Sequence, residues 1–142
     1  MAARTDYTTP ISDKAQRLVD EIFALGRVGY VALSSGTEVL MRPAPDGTAE
    51  TTPESNFYEE LLVNPTLLKL ASHRGSVDCG GLKYIAVGYG DFTQLIMLTR
   101  DGTVSLGLSK NAPAREVAGK VQDILERHGL APQTGEKWML RA

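Results

Sequence analysis

Apolar residues in the first part of the chain recur at the spacing of an amphipathic helix. Ser12 is a good N-cap because its hydroxyl can accept a backbone N–H of the first turn, and Gly26 suits the left-handed residue that ends a helix. The pattern therefore predicts a first helix over about 12–25. Its predicted inner face contains Ala15, Leu18, Val19, Ile22 and Phe23.

The segment that follows alternates in the manner of strands. Two short strands are predicted at 28–33 and 38–42, around a compact turn in which Gly36 can adopt a positive φ. The polar segment 43–53 is rich in proline, aspartate and glycine, and it predicts a loop.

A second helix is predicted from near Ser55 to about His73. Asn64-Pro65 interrupts it, because a proline cannot donate to the preceding turn, and Asn64 is well placed to cap a new turn. The apolar residues of this region are Phe57, Tyr58, Leu61, Leu62, Leu67, Leu68, Leu70 and Ala71.

The second half of the chain predicts three more strands, at 82–88, 92–99 and 103–108. Gly90-Asp91 and Asp101-Gly102 separate them, and Asp-Gly between two apolar runs is a strong hairpin signal.

A last helix is predicted after these strands. Asn111 caps it, Pro113 falls in its first turn and Gly129 ends it. Its predicted inner face holds Val117, Val121, Ile124, Leu125 and His128.

The resulting order is α-β-β-α-β-β-β-α. It predicts an α+β domain with a five-stranded antiparallel meander and helices on the faces of the sheet. The predicted boundaries are a flexible N-terminus at 1–11, the domain at 12–129 and a C-terminal extension at 130–142. In that extension Trp138, Met139 and Leu140 are expected to dock on the domain or on a partner.

Composition narrows the class of protein. Hydrophobic residues make up 42% and charged residues 23% of 142 residues, which is typical of a globular domain. The net charge of −2 comes with no basic block or stripe, so nucleic acid is not the expected partner. No apolar run approaches the roughly 20 residues of a membrane span, and the polar start lacks the apolar core of a secretory signal. With a single cysteine, these features predict a cytoplasmic protein.

Little in the sequence indicates catalysis. Cys79 is the one possible nucleophile, with His73 six residues earlier, but a cysteine flanked by glycines in a loop is more often structural. The two histidines, His73 and His128, end different helices and belong to no Cys/His cluster, so neither a metal nor another cofactor is expected.

Two stretches carry a resemblance to a known family. Residues 28–40, from Val28-Gly29-Tyr30 to Val39-Leu40, resemble the opening hairpin of the roadblock/dynein light chain family, which has a profilin-like α+β fold. Lys83-Tyr84-Ile85-Ala86-Val87 through Leu106–Ala112 resembles the three strands that lead into that family's last helix. With the helices, the resemblance covers about 12–129. The break at Asn64-Pro65, the long 43–53 loop and the extension after Gly129 depart from a minimal member.

The resemblance implies a homodimer. In the family the third strand pairs with its copy across a two-fold axis and the two central helices lie side by side. Carried onto this chain, the interface uses Tyr58, Leu62, Leu68, Leu82, Tyr84, Ala86 and Gly88. An unpaired edge strand and an excess of apolar helix surface both favour self-association. The alternative reading, in which some of these apolar residues fill the domain's own core, stays open.

Three functions follow as hypotheses. The first, implied by the resemblance, is a non-catalytic homodimeric regulator or scaffold that binds a small Ras-like GTPase. The alternative is a small-ligand sensor domain of GAF or PAS type, with a pocket against the antiparallel sheet. The third is a thiol-dependent enzyme built on Cys79.

Overall fold

A computed structural model describes residues 11–35, 38–45 and 53–132. The elements are α1 (Asp13–Phe23), β1 (Val28–Ser35), β2 (Glu38–Pro43), α2 (Pro53–Tyr58), a π-helical segment (Glu59–Val63), α3 (Asn64–Asp78), β3 (Ile85–Gly88), β4 (Phe92–Leu98), β5 (Thr103–Ser109) and α4 (Ala114–Arg127). No helix among these residues is long and apolar enough to span a membrane.

The ends of α1 follow from local sequence. The Ser12 hydroxyl accepts a hydrogen bond from the Ala15 N–H at 3.2 Å, so the predicted N-cap is confirmed. Gly26 has a φ of +82° and Arg27 a φ of +62°, and this left-handed pair turns the chain directly into β1.

The sheet is five-stranded and antiparallel, with the order β2-β1-β5-β4-β3. The fold class is thus confirmed, but the prediction of one continuous meander is wrong. Only β3, β4 and β5 form a meander, and β1 then pairs with β5 from Val28↔Leu108 to Ser34↔Thr103. The reason is burial. Strands β1 and β5 are apolar enough to occupy the centre of the sheet, which leaves β2 and β3 at the edges.

Helices α1 and α4 cover one face of the sheet and enclose the larger core. Arg127 donates to Glu21 at 2.6 Å, and His128 also bonds to Glu21, so the two helices are fastened at one end. The buried residues of this core are Leu18, Val19, Ile22, Val28, Val31, Leu95, Met97, Val104, Leu106, Leu108, Val117, Ala118, Val121, Ile124 and Leu125.

The opposite face has a smaller apolar cluster, made of Tyr30, Ala32 and Met41. The Tyr30 ring lies over Gly107, where an added Cβ would stand 2.3 Å from the ring carbon Cε2. Its hydroxyl donates to Gln94 Oε1 at 2.5 Å. Tyr30 therefore spans the width of β5 because residue 107 has no side chain.

The second helical region is longer than predicted and breaks elsewhere. We use the name central helix for its three consecutive segments, residues Pro53–Asp78. Pro65 does not interrupt it. Pro65 lies at the start of α3, where a missing N–H is tolerated, and the irregularity falls just before it, in a π-helical turn closed by the Asn64 N–H and the Glu59 carbonyl.

Three smaller predictions need correction. The first residues of the predicted strand 82–88 are not in a strand, since β3 begins at Ile85. Asn111 is not the N-cap of α4; Pro113 takes that position, and the Asn111 carbonyl instead accepts from Arg27 at 3.1 Å. Strand β1 was predicted to end at residue 33, but it continues to Ser35, which pairs with Glu38.

Several predictions fall outside the described residues. They concern the turn residue Gly36, most of the loop 43–53, nearly all of the N-terminus 1–11, and the part of the C-terminal extension that contains Trp138.

The contact between Tyr30 and Gly107 predicts a large cost for a small change. Gly107→Ala forces the buried Tyr30 ring away from β5, and we expect the free energy of unfolding to fall by roughly 2 kcal/mol, as for other overpacked cores. Chemical denaturation of the purified variant measures it.

Gly119→Ala in α4 is the matched control. An added Cβ there meets nothing within 4 Å, so this variant should be as stable as the parent or more stable by up to about 1 kcal/mol. Equal stability of both variants would show that Tyr30 does not pack on residue 107.

Candidate functional site

The exposed apolar residues are concentrated on the central helix. In the described part of the chain, large apolar side chains are exposed at Tyr58, Leu61, Leu62, Leu70, Val77 and Tyr89. All but Tyr89 belong to the central helix, and Tyr89 lies in the turn between β3 and β4. Leu70 is 67% exposed and Tyr58 60%, values that contrast with the fully buried stripes of α1 and α4. A concentration of exposed large apolar side chains on one helix is typical of an interaction site.

The second part of the surface is the open edge of β3. This strand pairs with β4 on one side only, from Ile85↔Ile96 to Gly88↔Thr93. Ala86 and Gly88 are exposed along it. An unpaired strand edge presents free backbone donors and acceptors to another chain.

Two contacts place the central helix alongside this edge. Near its C-terminal end, Gly75 lies so close to Leu82 that an added Cβ would stand 3.0 Å from the Leu82 backbone nitrogen. Near its other end, the Tyr89 hydroxyl donates to Glu59 at 3.0 Å. Tyr89 also stacks on Phe92, with ring centroids 5.1 Å apart. These contacts bring the residues on either side of β3 next to the central helix, and the exposed helix residues together with the β3 edge are here called the helix–edge surface.

The residues predicted for a dimer interface distribute unevenly over this surface. Tyr58 and Leu62 are exposed on the helix, and Leu82 and Tyr84 are half-buried just before β3. Leu68 was expected to be exposed, and that expectation is wrong: it is 8% exposed and points into the domain. The alternative left open by the sequence therefore holds for Leu68, which fills the domain's own core. The interface itself stays a prediction.

A buried carboxylate attaches the central helix to the sheet. Glu60 is 3% exposed, and it accepts hydrogen bonds from the hydroxyls of Ser34 in β1 and Ser105 in β5, the first at 3.2 Å. The Asn64 amide donates at 2.9 Å to Oε2, the oxygen that Ser105 also reaches. Since β5 is the central strand of the sheet and β1 lies beside it, Glu60 positions the π-helical segment over the middle of the sheet.

Its neighbour Glu59 is buried as well. The carboxylate accepts the hydrogen bond from Tyr89, and its second oxygen has no hydrogen-bond partner among the described residues. Two adjacent buried glutamates cost much free energy of desolvation. Both glutamates lie in the π-helical segment, and π-helical turns recur at functional sites.

Burial changes the acidity of both groups. It raises the pKa of Glu60 from 4.5 to about 7, against the lowering effect of the bonds from Ser105, Ser34 and Asn64. Burial also raises the pKa of Glu59, which the Tyr89 hydroxyl partly offsets. A carboxyl group with a pKa near neutrality exchanges its proton in the physiological range.

This pair was not anticipated from the sequence. Glutamates next to each other in a helix ordinarily face solvent, and no spacing rule indicates that Ser34 and Ser105 converge on one of them. The sequence contains one signal for this pair. Glu59 and Glu60 stand between the apolar residues Tyr58 and Leu61, so the apolar stripe of the helix is not continuous on this turn.

Cys79 has an environment unsuited to a nucleophile. It is exposed at the end of α3, and its thiol donates to Asp78 at 3.1 Å. This hydrogen bond to Asp78 is the main reason that the pKa of the thiol is raised, whereas a reactive cysteine needs a lowered one. Within the described residues no cluster of His, Cys, Asp and Glu could hold a metal ion.

Comparison with known proteins identifies the fold but not a close relative. No protein-family model matches the sequence, and no curated protein is similar to it in sequence. Among solved structures, the chain is similar to the gliding protein MglB from Thermus thermophilus, with a TM-score of 0.61, 10% identity and coverage of 87% of this chain and 96% of that one. It is also similar to MglB in a tetrameric arrangement, with a TM-score of 0.56, 10% identity and coverage of 84% and 96%. At this identity the likeness establishes the fold, and the predicted roadblock-like fold is confirmed.

The raised pKa of Glu60 predicts a pH-dependent stability. Between its unfolded pKa of 4.5 and its folded pKa of about 7, the unfolded chain releases this proton while the folded chain keeps it. Stability from this group is therefore full below pH 4.5 and is lost as the pH rises through 7. At about 1.4 kcal/mol per pKa unit, the total loss is on the order of 3 kcal/mol.

Glu60→Gln isolates this effect because it keeps the shape and removes the titration. We expect denaturant unfolding between pH 5 and pH 8 to show a clear decline for the parent and a markedly flatter profile for the variant. Parallel profiles would mean that Glu60 titrates normally. Glu126→Gln, at an exposed glutamate of α4, is the matched control for the loss of one carboxyl group.

Proposed function

We propose that this chain, with its roadblock-like fold, is a non-catalytic homodimeric regulator or scaffold that binds a small Ras-like GTPase. The observation that carries the proposal is the helix–edge surface, where an exposed apolar helix and an unpaired strand edge lie side by side. The sequence resembles a family of GTPase-associated homodimers. The two partners expected at this surface are therefore a second copy of the chain and a small GTPase.

Self-association is the first step of the proposal. Leu62 and Leu70 are more than half exposed, and burying a leucine side chain stabilises an association by about 1.5–3 kcal/mol. A second copy supplies the same side chains across a two-fold axis, so that each apolar helix covers the other. Proteins that keep such residues in water as monomers are prone to aggregate, which makes a specific partner the more economical explanation.

The β3 edge determines how the two copies are oriented in the proposed dimer. When the edge strands of two copies run antiparallel, their backbone groups pair and the two five-stranded sheets become continuous. Ala86 and Gly88 carry the smallest side chains on this strand, so a neighbouring backbone can approach closely. The similarity to a structure of MglB in a tetrameric arrangement, which concerns that protein, is consistent with a fold that self-associates.

A GTPase is the proposed external partner. The central helices of the dimer, with the loops beside them, form a composite surface across the two-fold axis. Leu61 and Val77 add apolar contact area to it, and apolar side chains exposed along a helix fit a folded protein better than a small molecule, which binds in a cavity. The proposed role of the dimer toward this GTPase is regulation or scaffolding.

The small-ligand sensor hypothesis is not favoured. A sensor of this type needs a cavity against the central strands of its sheet. Here the central strands are covered on both faces, and Tyr30, Leu95 and Leu106 are almost completely buried.

Leu62→Glu tests the dimer. A charge placed in the centre of an apolar interface has no partner there, so we expect the variant to be monomeric, with a mass near 15.3 kDa by light scattering. The parent should keep about twice that mass over a hundredfold range of concentration. Because Leu62 is 55% exposed in the single domain, the variant should unfold no more readily than a monomeric parent.

Lys120→Glu is the control, since Lys120 is exposed on α4, on the other side of the sheet. It should retain the dimer mass. A parent that is monomeric at every concentration would overturn the proposed dimer.

GTPase binding is tested separately. Purified parent protein is passed over a panel of Ras-like GTPases, each loaded with GDP or with a non-hydrolysable GTP analogue. We expect at least one GTPase to bind with a preference for one nucleotide state, and binding to be weakened at least tenfold by Leu62→Glu but not by Lys120→Glu. Failure of every GTPase to bind an intact dimer would leave the self-association and remove the proposed partner.

A further inference from the structure

An open groove of about 950 Å³ lies between α4 and the chain before β3. It exists because β3 begins only at Ile85, so the end of β4 has no strand beside it. Small residues of α4 deepen it. The lining that matters here is Leu82, Tyr84, Met97, Ala118, Gly119 and Pro132.

The residues that follow α4 run to this groove. After α4, Gly129 adopts a φ of +71°, the left-handed conformation that ends a helix. The Leu130 N–H then donates to the Leu125 carbonyl at 2.8 Å, and the Leu130 carbonyl accepts from the Arg100 N–H at 2.8 Å. Leu130 packs on the main core, and Pro132, two residues later, lines the groove. The segment after Pro132 is therefore tethered at the groove.

The composition of that segment suits the groove. Residues 133–142 read Gln-Thr-Gly-Glu-Lys-Trp-Met-Leu-Arg-Ala, with three consecutive large apolar residues, Trp138, Met139 and Leu140. Six extended residues span at most about 20 Å, so Trp138 stays within that distance of Pro132. The groove offers apolar walls at the half-buried residues Leu82 and Tyr84, and Arg115 in its lining supplies a cation for the indole face.

We propose that residues 133–142 dock in this groove of their own domain, with Trp138 as the anchor. Docking removes the apolar side chains of the segment from water and covers the uncovered end of β4. It also covers Leu82 and Tyr84 from the α4 side, next to the helix–edge surface. The C-terminal segment thereby becomes a structural part of the sheet edge that the proposed dimer uses, although its docking does not depend on that dimer.

Trp138 is the single tryptophan of the chain, so its fluorescence reports on this segment alone. In the full chain we expect an emission maximum clearly to the blue of the denatured protein and at least a threefold lower rate of quenching by acrylamide. Both should stay constant over a hundredfold dilution, because the docking is within one domain.

Gly119→Leu tests the location. Its side chain has free space in α4 and projects into the groove, so the helix should form normally while the occupant is displaced. The Trp138 emission should then shift toward that of the denatured chain. Lys120→Leu is the matched control, with the same new side chain at the next, exposed position outside the groove lining, and its emission should equal that of the parent. Circular dichroism verifies that both variants are folded.

Three results would overturn the proposal. A denatured-like emission in the folded full chain would show that Trp138 is not docked. Protection that disappears on dilution would show that it docks on another copy. Protection that persists in Gly119→Leu would show that it docks elsewhere on the domain.

Discussion

The position of the central helix on the sheet depends on how the Glu60 carboxyl group is held between Ser34 and Ser105. Ser105 belongs to the central strand β5 and Ser34 to its neighbour β1, so the bonds fix the π-helical segment over the middle of the sheet. With Glu59 and Glu60 turned inward, Tyr58, Leu61 and Leu62 on the same turns are left facing outward. The polar attachment and the exposed apolar surface are two consequences of one orientation of this helix.

The two faces of the sheet are consequently stabilised by different interactions. The face under α1 and α4 is closed by a large apolar core, as expected of a domain that must fold alone. The other face has only a small apolar cluster and is held by hydrogen bonds that include a carboxyl group with a raised pKa. Apolar residues of the central helix are therefore available for contacts with other molecules, and the open β3 edge lies beside them. This division is the physical basis for the proposed dimer.

The parts of the fold that follow local rules were predictable from the sequence. Ser12 and Gly26 delimit α1 through a hydroxyl cap and a left-handed turn, and both depend only on neighbouring residues. The strands were found from alternation for the same reason. The inward direction of Leu68 and the π-helical turn before Pro65 were not predictable, because packing against a distant part of the chain decides them. For the same reason the sequence indicated the edge strand of the candidate surface but not the buried pair Glu59 and Glu60.

The most direct test of the account is hydrogen exchange at the backbone amides of β3, Ile85–Gly88, in concentrated and in highly diluted protein. If the helix–edge surface joins two copies, the amides that point away from β4 are protected at high concentration and exchange rapidly once the dimer dissociates. The amides of β5, in the centre of the sheet, serve as the internal reference and should stay slow in both samples. Rapid exchange along the outer edge of β3 at every concentration, with β5 still protected, would contradict the account.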